Sequence, residues 1–336
     1  MPKEKMWAVL VHLTGHIQES NHYDTLPFDD GMWENNVLRV AVDAGVNTIV
    51  LDVGDGIEFA THPEIAIKGA WSRRRAREEV RRCRDLGITL IPKLNFATPH
   101  HKWLGEYRRM VSTNIYYRVA NDLIKEVYEL FDKPAYIHLG MDEEDAQHVA
   151  HCELAIYRQK ELYWHDLNFL LDCVADTGAT PWVWSCPLYG HFEEYEKHVG
   201  VNDAVLSPWY YNAFRPEHWT PVESRAEYVA YYNEGKYKEM DIKFVEEDPY
   251  LVNFRNITPD VIKKGYKLIP CASVYNRCDW NTYDLVEYFH DLCPDEQLLG
   301  FMSAPWGRTL PTERQIRYYE ETFRFLKEAK DAFYGG

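Results

Sequence analysis

Long apolar runs are missing from this chain. No segment of its 336 residues approaches the roughly 18 uninterrupted apolar residues of a membrane-spanning helix. Positive charge is scarce as well: 37 Lys and Arg stand against 53 Asp and Glu, a formal net charge of −16. Such a surface repels phosphate backbones and acidic lipid, so neither nucleic acid nor a membrane is expected as a partner. The seven cysteines are odd in number and scattered without a CxxC pair, so free thiols in a reducing compartment are expected. Residues 1–6 are charged and lead into an apolar run too short for a secretion signal, and a cytoplasmic location follows. Low-complexity tracts, charge blocks and Gly-, Ser- or Pro-rich linkers are absent, so the chain reads as one domain over 1–336.

What is present is a strand-then-helix rhythm. Eight short apolar runs bounded by turn residues cover 7–13, 47–53, 88–96, 135–141, 180–185, 204–210, 267–274 and 298–306. They are rich in Val, Ile, Leu and aromatics and apolar on both faces, as strands buried in a parallel sheet are. Helical segments fall between them at 33–44, 72–86, 112–131, 154–177, 282–292 and 312–333, several opening on Ser or Thr and closing on Gly. The stretch 211–265 is longer than one crossover helix needs and predicts an extra excursion above the barrel. Eight alternations predict an α/β fold, the (β/α)8 TIM barrel. An open doubly wound sheet would want a Gly-rich phosphate turn after the first strand, and His12-Leu13-Thr14-Gly15 is not one. A phosphate-handling barrel would want such a loop after the last strands, where SAPWGRT has a single glycine.

Chemistry in such barrels collects at the strand ends. After the first strand stand His12, His16 and His22 with Glu19 and Asp24, without clean metal-ligand spacing, so no metal is expected. No other cofactor is indicated. The second strand ends at Asp52 and Asp55, and the third at Lys93, Asn95, His100 and His101. The fourth ends at Asp142, Glu143, Glu144 and Asp145. A solvated first helical turn accounts for Glu144 and Asp145. Asp142 and Glu143, directly behind Gly140, read instead as paired carboxylates that divide the work of acid and stabiliser. Trp182, Trp184, Trp209 and Trp306 close three other strands and offer flat apolar walls for a pyranose ring, although any one of them could be core. The seventh strand leads into Tyr275, Arg277 and Asp279. A carbohydrate substrate is therefore expected; a homo-oligomer is compatible with the sequence but not indicated by it.

Between residues 47 and 144 the motifs resemble the β-N-acetylhexosaminidases of glycoside hydrolase family 20. NTIVLDVGDGIEF (47–59) is similar to the family's second strand and loop, HPEIAIKGAWS (62–72) to its Pro-x-Leu…Gly-Ala segment, and LGITLIPKLNFATPHH (86–101) to its Gly-Ile-x-x-Ile-Pro-Glu-x-Asp…Gly-His run. IHLGMDEE (137–144) resembles its His-x-Gly-Gly-Asp-Glu signature. The resemblance implies substrate-assisted retaining hydrolysis of a terminal β-linked N-acetylhexosamine, an exception to the two-carboxylate rule. Asp142 would orient the acetamido group and Glu143 would act as acid and then base. Asp55, His100, Trp184, Trp209, Tyr275 and Trp306 would bind the sugar, with Asn95, Lys93 and Arg308 at further binding positions. Several family features are changed: no arginine appears in VLVHLTGH, Lys93 and Asn95 stand for an acidic pair, Met141 for a glycine, and Trp306-Gly307-Arg308 for Trp-x-Glu. The family's preceding accessory domain is also not seen. Basic Lys93, Arg277 and Arg308 either meet a charged sugar or pair with Asp142, Glu143 or Asp279. Two other readings stay open: a glycosidase of a non-acetylated or charged sugar, and a sugar-binding barrel without catalysis.

Overall fold

The computed structural model describes residues 4–218, 248–275 and 278–335. Part of the expected excursion, 219–247, and Arg277 lie outside them. Nine parallel strands make one sheet: β1 Met6–His12, β2 Thr48–Asp52, β3 Thr89–Lys93, β4 Tyr136–His138, β5 Thr180–Trp184, β6 Val205–Ser207, β7 Lys267–Leu268, β8 Cys271–Ser273 and β9 Gly300–Ala304. Their order is β7-β6-β5-β4-β3-β2-β1-β9-β8.

β7 and β8 are the two halves of the expected seventh strand. Pro270 divides them because it has no N–H for the ladder. Hydrogen bonds nevertheless continue on both sides of the break. Ile269 N–H donates to Leu206 O and Cys271 N–H to Pro208 O on one side. Leu268 N–H donates to Gln297 O and Met302 N–H to Pro270 O on the other. The sheet therefore closes on itself as a barrel. Ala8, Leu10, Val50, Ile91, Trp182, Val205, Ile269 and Met302 fill its interior. A larger apolar layer packs the outside of the sheet against the helices.

The eight main helices among the described residues are α1 (30–43), α2 Arg73–Asp85, α3 Asn114–Leu130, α4 Glu161–Ala175, α5 Cys186–His198, α6 Pro249–Lys264, α7 Asn281–Leu292 and α8 Glu313–Tyr334. Caps set most of their starts: Asp29, Ser72, Thr113, Asp248 and Thr312 each accept a first-turn N–H. The middle of α1 is wound as a π-helix over Trp33–Leu38. Two expectations are corrected. The helix expected at 154–177 begins only at Glu161, and 154–160 is a loop because Arg158 is drawn inward to buried carboxylates. Helix α5 has no counterpart in the sequence reading.

Candidate active site

The site forms where the chain leaves β4. Gly140 has φ +74°, and a Cβ there would overlap Asn95 Oδ1, so only glycine fits. Asn95 uses that closeness. Its Oδ1 accepts from Ala97 N–H at 3.1 Å and Met141 N–H at 3.3 Å, while its Nδ2 donates to Asp142 Oδ1 at 2.8 Å. Met141 (φ +67°) and Glu143 (φ +56°) both hold left-handed backbone without being glycine. Strain of that kind costs roughly 1–3 kcal/mol per residue and gathers at functional sites. Here it turns both carboxylates toward one histidine.

That histidine is His100. Its Nε2 lies 3.1 Å from Glu143 Oε2 and 3.5 Å from Asp142 Oδ2, and its Nδ1 lies 3.1 Å from Ile17 O. Burial pulls its pKa down, but the charge of Asp142 and the hydrogen bond and charge of Glu143 outweigh that and lift it to about 9, with Lys93 opposing. Burial pushes Glu143 up, yet the hydrogen bond and charge of His100 and the charge of His148 bring it below its ordinary value. The resting site is thus an imidazolium beside two carboxylates. The shared proton stays below about pH 9 and leaves above it. An NMR titration of the His100 ring should place its midpoint near 9, and Glu143→Gln should bring it down. A wild-type midpoint below 7 would remove the ion pair from this site.

His100, Asp142 and Glu143 also bring donor atoms within 4.8 Å of one another, as a metal site would. A cation there would have to displace the proton from His100 Nε2. The first-strand histidines do not join them. His12 is buried against Asp52 at 3.1 Å, His16 bonds Asp55 at 2.5 Å, and His22 pairs with Glu153 at 3.2 Å.

The remaining residues singled out from the sequence divide into two groups. The aromatic ones largely come together. Trp184 and Trp306 lie 5.7 Å apart between ring centres, Trp306 and Tyr211 6.1 Å, and Tyr211 stacks on Trp209 at 4.8 Å. Trp209 Nε1 donates to Cys186 Sγ at 3.1 Å. Burial raises the Cys186 thiol strongly, and the nearby charges of Asp142 and Glu143 raise it further, which puts this wall beside the carboxylate pair. Tyr211 was missed; its only signal was its place two residues beyond Trp209. Trp182 is instead interior, its Nε1 bonded to Ser207 Oγ at 2.8 Å. Tyr275 follows β8, its N–H donating to Ser273 Oγ at 2.9 Å.

The charged ones are held by the protein itself. Asp55 accepts from Thr14 Oγ1 at 2.6 Å, Gly15 N–H at 2.9 Å and His16. Lys93 is only 1% exposed and donates to Asp52 Oδ2 at 2.6 Å, a partner not among those weighed for it. Asp52 is held far below the ordinary carboxylate range: burial opposes this, and Lys93 and His12 overcome it. Arg308 donates to Gly15 O at 3.0 Å and Asn21 Oδ1 at 2.7 Å and lies over the Tyr23 ring. Glu144 is not a solvated first-turn acid. Glu144 and Arg158 side chains are each 1% exposed; Glu144 takes Arg158 Nε at 2.6 Å and Thr98 N–H at 3.1 Å, and Arg158 Nη1 reaches Asp166 at 3.3 Å. This clamp ties the loop after β4 to the loop after β3, the two that carry Glu143 and His100. Asp145 caps the one-turn helix Ala146–Val149.

No protein-family model matches the sequence. No curated protein matches it either. Solved structures do. Dispersin B aligns over 97% of this chain and 98% of its own, with a TM-score of 0.59 at 13% identity. The family 20 β-N-acetylhexosaminidase from Streptomyces coelicolor aligns over 97% of this chain and 64% of its own, with a TM-score of 0.59 at 12% identity. The Streptomyces plicatus N-acetyl-β-hexosaminidase, solved with Thio-NAglucal, gives 97%, 63%, 0.57 and 12%. The chain thus spans nearly all of the first and just under two thirds of the other two. At such identities the likeness is one of fold, and the fold is the one shared with the glycoside hydrolase family 20 β-N-acetylhexosaminidases.

Proposed function

We propose that this chain is a retaining exo-glycosidase that releases a terminal β-linked N-acetylhexosamine. One observation carries the reading: Asp142 and Glu143 stand side by side at the barrel mouth, joined to one buried histidine and backed by an aromatic wall. With Oδ1 bonded to Asn95, Asp142 keeps Oδ2 for the acetamido N–H. The acetamido oxygen then attacks the anomeric carbon as the bond to the leaving oxygen breaks. Glu143, taking up the proton it shares with His100, passes a proton to that oxygen and later takes one from the incoming water. Asp142 stabilises the positive charge that develops on the ring formed between them. Trp184, Trp209 and Trp306 wall the sugar, and Tyr275 donates to the acetamido oxygen. In this reading the catalytic domain runs over 1–336 and works in the cytoplasm.

A second reading has an observation of its own. Asp55, Lys93 and Arg308 are all bonded within the protein, so their side chains serve the scaffold before any sugar. That rebuilds the shell expected to grip the sugar, the observation behind a second reading in which the barrel has lost turnover and keeps only sugar binding at its aromatic wall. It also removes Lys93 and Arg308 as ready partners for a charged sugar.

Aryl β-glycosides of N-acetylglucosamine, N-acetylgalactosamine and their non-acetylated parents separate the cases. Turnover of the acetamido sugars alone is expected. Turnover of the parents would keep the glycosidase and overturn substrate assistance. No turnover, with a thermal shift on adding free sugar, would replace the enzyme by the binding protein.

A further inference from the structure

Glu143 has two carboxyl oxygens, and the structure treats them differently. Oε2 faces the buried ring of His100 at 3.1 Å. Oε1 faces a second histidine, His148, whose Nε2 lies 3.6 Å away. That histidine is not part of the reading above. It is anchored with care: its Nδ1 bonds Asp145 Oδ2 at 2.7 Å. Asp145 is fixed in turn, since its Oδ1 accepts the N–H groups of Gln147 and His148 at 2.9 and 3.0 Å. Asp145 N–H donates to Glu143 O at 2.9 Å, a tight turn that folds the dyad back over Glu143. An ionised carboxylate only accepts, so Nδ1 carries the hydrogen and Nε2 is presented toward Oε1. The His148 side chain is 41% exposed. The site's innermost groups, Asp142 and His100, are buried.

We propose that His148, held by Asp145, lines the leaving-group side of the pocket and hydrogen-bonds a hydroxyl-bearing leaving group. This rests on the hexosaminidase reading. With Oε2 committed to His100, Oε1 is the oxygen that must approach the glycosidic oxygen to within about 3 Å. His148 Nε2 is next to Oε1, on the open side, so the first atoms beyond the glycosidic oxygen pass it. A ring pinned at one nitrogen loses little freedom on binding, which favours a directional contact with a sugar hydroxyl. A flat aryl leaving group offers that nitrogen nothing comparable.

The test compares two leaving groups on one sugar. Wild type, His148→Ala, His148→Gln and Asp145→Asn are assayed with the 2,4-dinitrophenyl glycoside of N-acetylglucosamine and with the β-1,4-linked disaccharide of N-acetylglucosamine. Asparagine caps helices as well as aspartate does, so Asp145→Asn should spare the one-turn helix. In His148→Ala, kcat/KM for the disaccharide should fall on the order of tenfold relative to the aryl glycoside, the scale of one lost hydrogen bond. His148→Gln, whose amide reaches the place of Nε2 and can turn its oxygen there as acceptor, should recover part of the ratio, and Asp145→Asn should lose part of it. An unchanged ratio in His148→Ala overturns the assignment, even if both rates drop. So does a wild type that cleaves only the aryl glycoside. A wild type inert on both substrates overturns the hexosaminidase reading, and this assignment with it.

Discussion

Glu143→Gln should leave the fold standing and lower kcat on N-acetylhexosaminides by about 10²- to 10⁴-fold, the range that positioned acid–base groups supply. The change is nearly isosteric, and the amide oxygen can still accept from His100 Nε2, so the bond at 3.1 Å has a substitute. What disappears is the carboxyl group that carries a proton to the leaving oxygen. The loss should therefore depend on the leaving group: largest for a sugar alcohol, smallest for a dinitrophenolate, which departs without protonation. Steady-state kinetics with the two substrates, beside a thermal melt, measure it. A kcat within tenfold of wild type on the sugar leaving group would remove Glu143 from the acid role.

Arg158→Met should destabilise the protein by about 3–5 kcal/mol, the usual result of removing one partner from a buried ion pair. The guanidinium is wholly buried and serves Glu144, Asp166 and Phe96 O together. Without it two carboxylates are left in the interior with one countercharge fewer. Its pKa is driven far up: burial opposes the charge, while Glu144, Tyr116 and Asp166 favour it and prevail. Arg158→Lys should fall between, since an ammonium keeps the charge but cannot span the three acceptors. Denaturant unfolding of the three proteins decides this. A loss under 1 kcal/mol for Arg158→Met would mean that the clamp does not support the loop bearing Glu143.

Much of the barrel could be read in advance because buried parallel strands leave a local mark. Runs such as TIVLD in β2 are apolar on both faces, and Gly87 or Gly178 closes a helix where a left-handed residue is required. Asp142 and Glu143 were legible for a similar reason, being adjacent to each other and to the end of β4. The misreadings share a different cause. Glu144 looked like a surface acid and 154–160 like a helix because Arg158, the residue that decides both, finds Glu144 and Asp166 only in three dimensions. Lys93 looked like a rim cation because Asp52, its partner on the neighbouring strand, is 41 residues away. Tyr211 and His148 lie just past the motifs and take their places from ring stacking and from a tight turn, which periodicity does not report.

Arg308 has a consequence for the order of events during synthesis. It grips Gly15 O and Asn21 Oδ1, nearly 300 residues earlier in the chain, and β1 has β9 as one of its two neighbours. Contacts so distant in sequence form late, because a long loop must close before they return any stabilisation. On the ribosome, the first strand must wait for the last. Until residue 308 has emerged, the loop that supplies Ile17 O to His100 lacks its tether. The reactive end of the barrel is then among the last parts to acquire its native shape, and the nascent chain carries an open sheet edge for most of its synthesis.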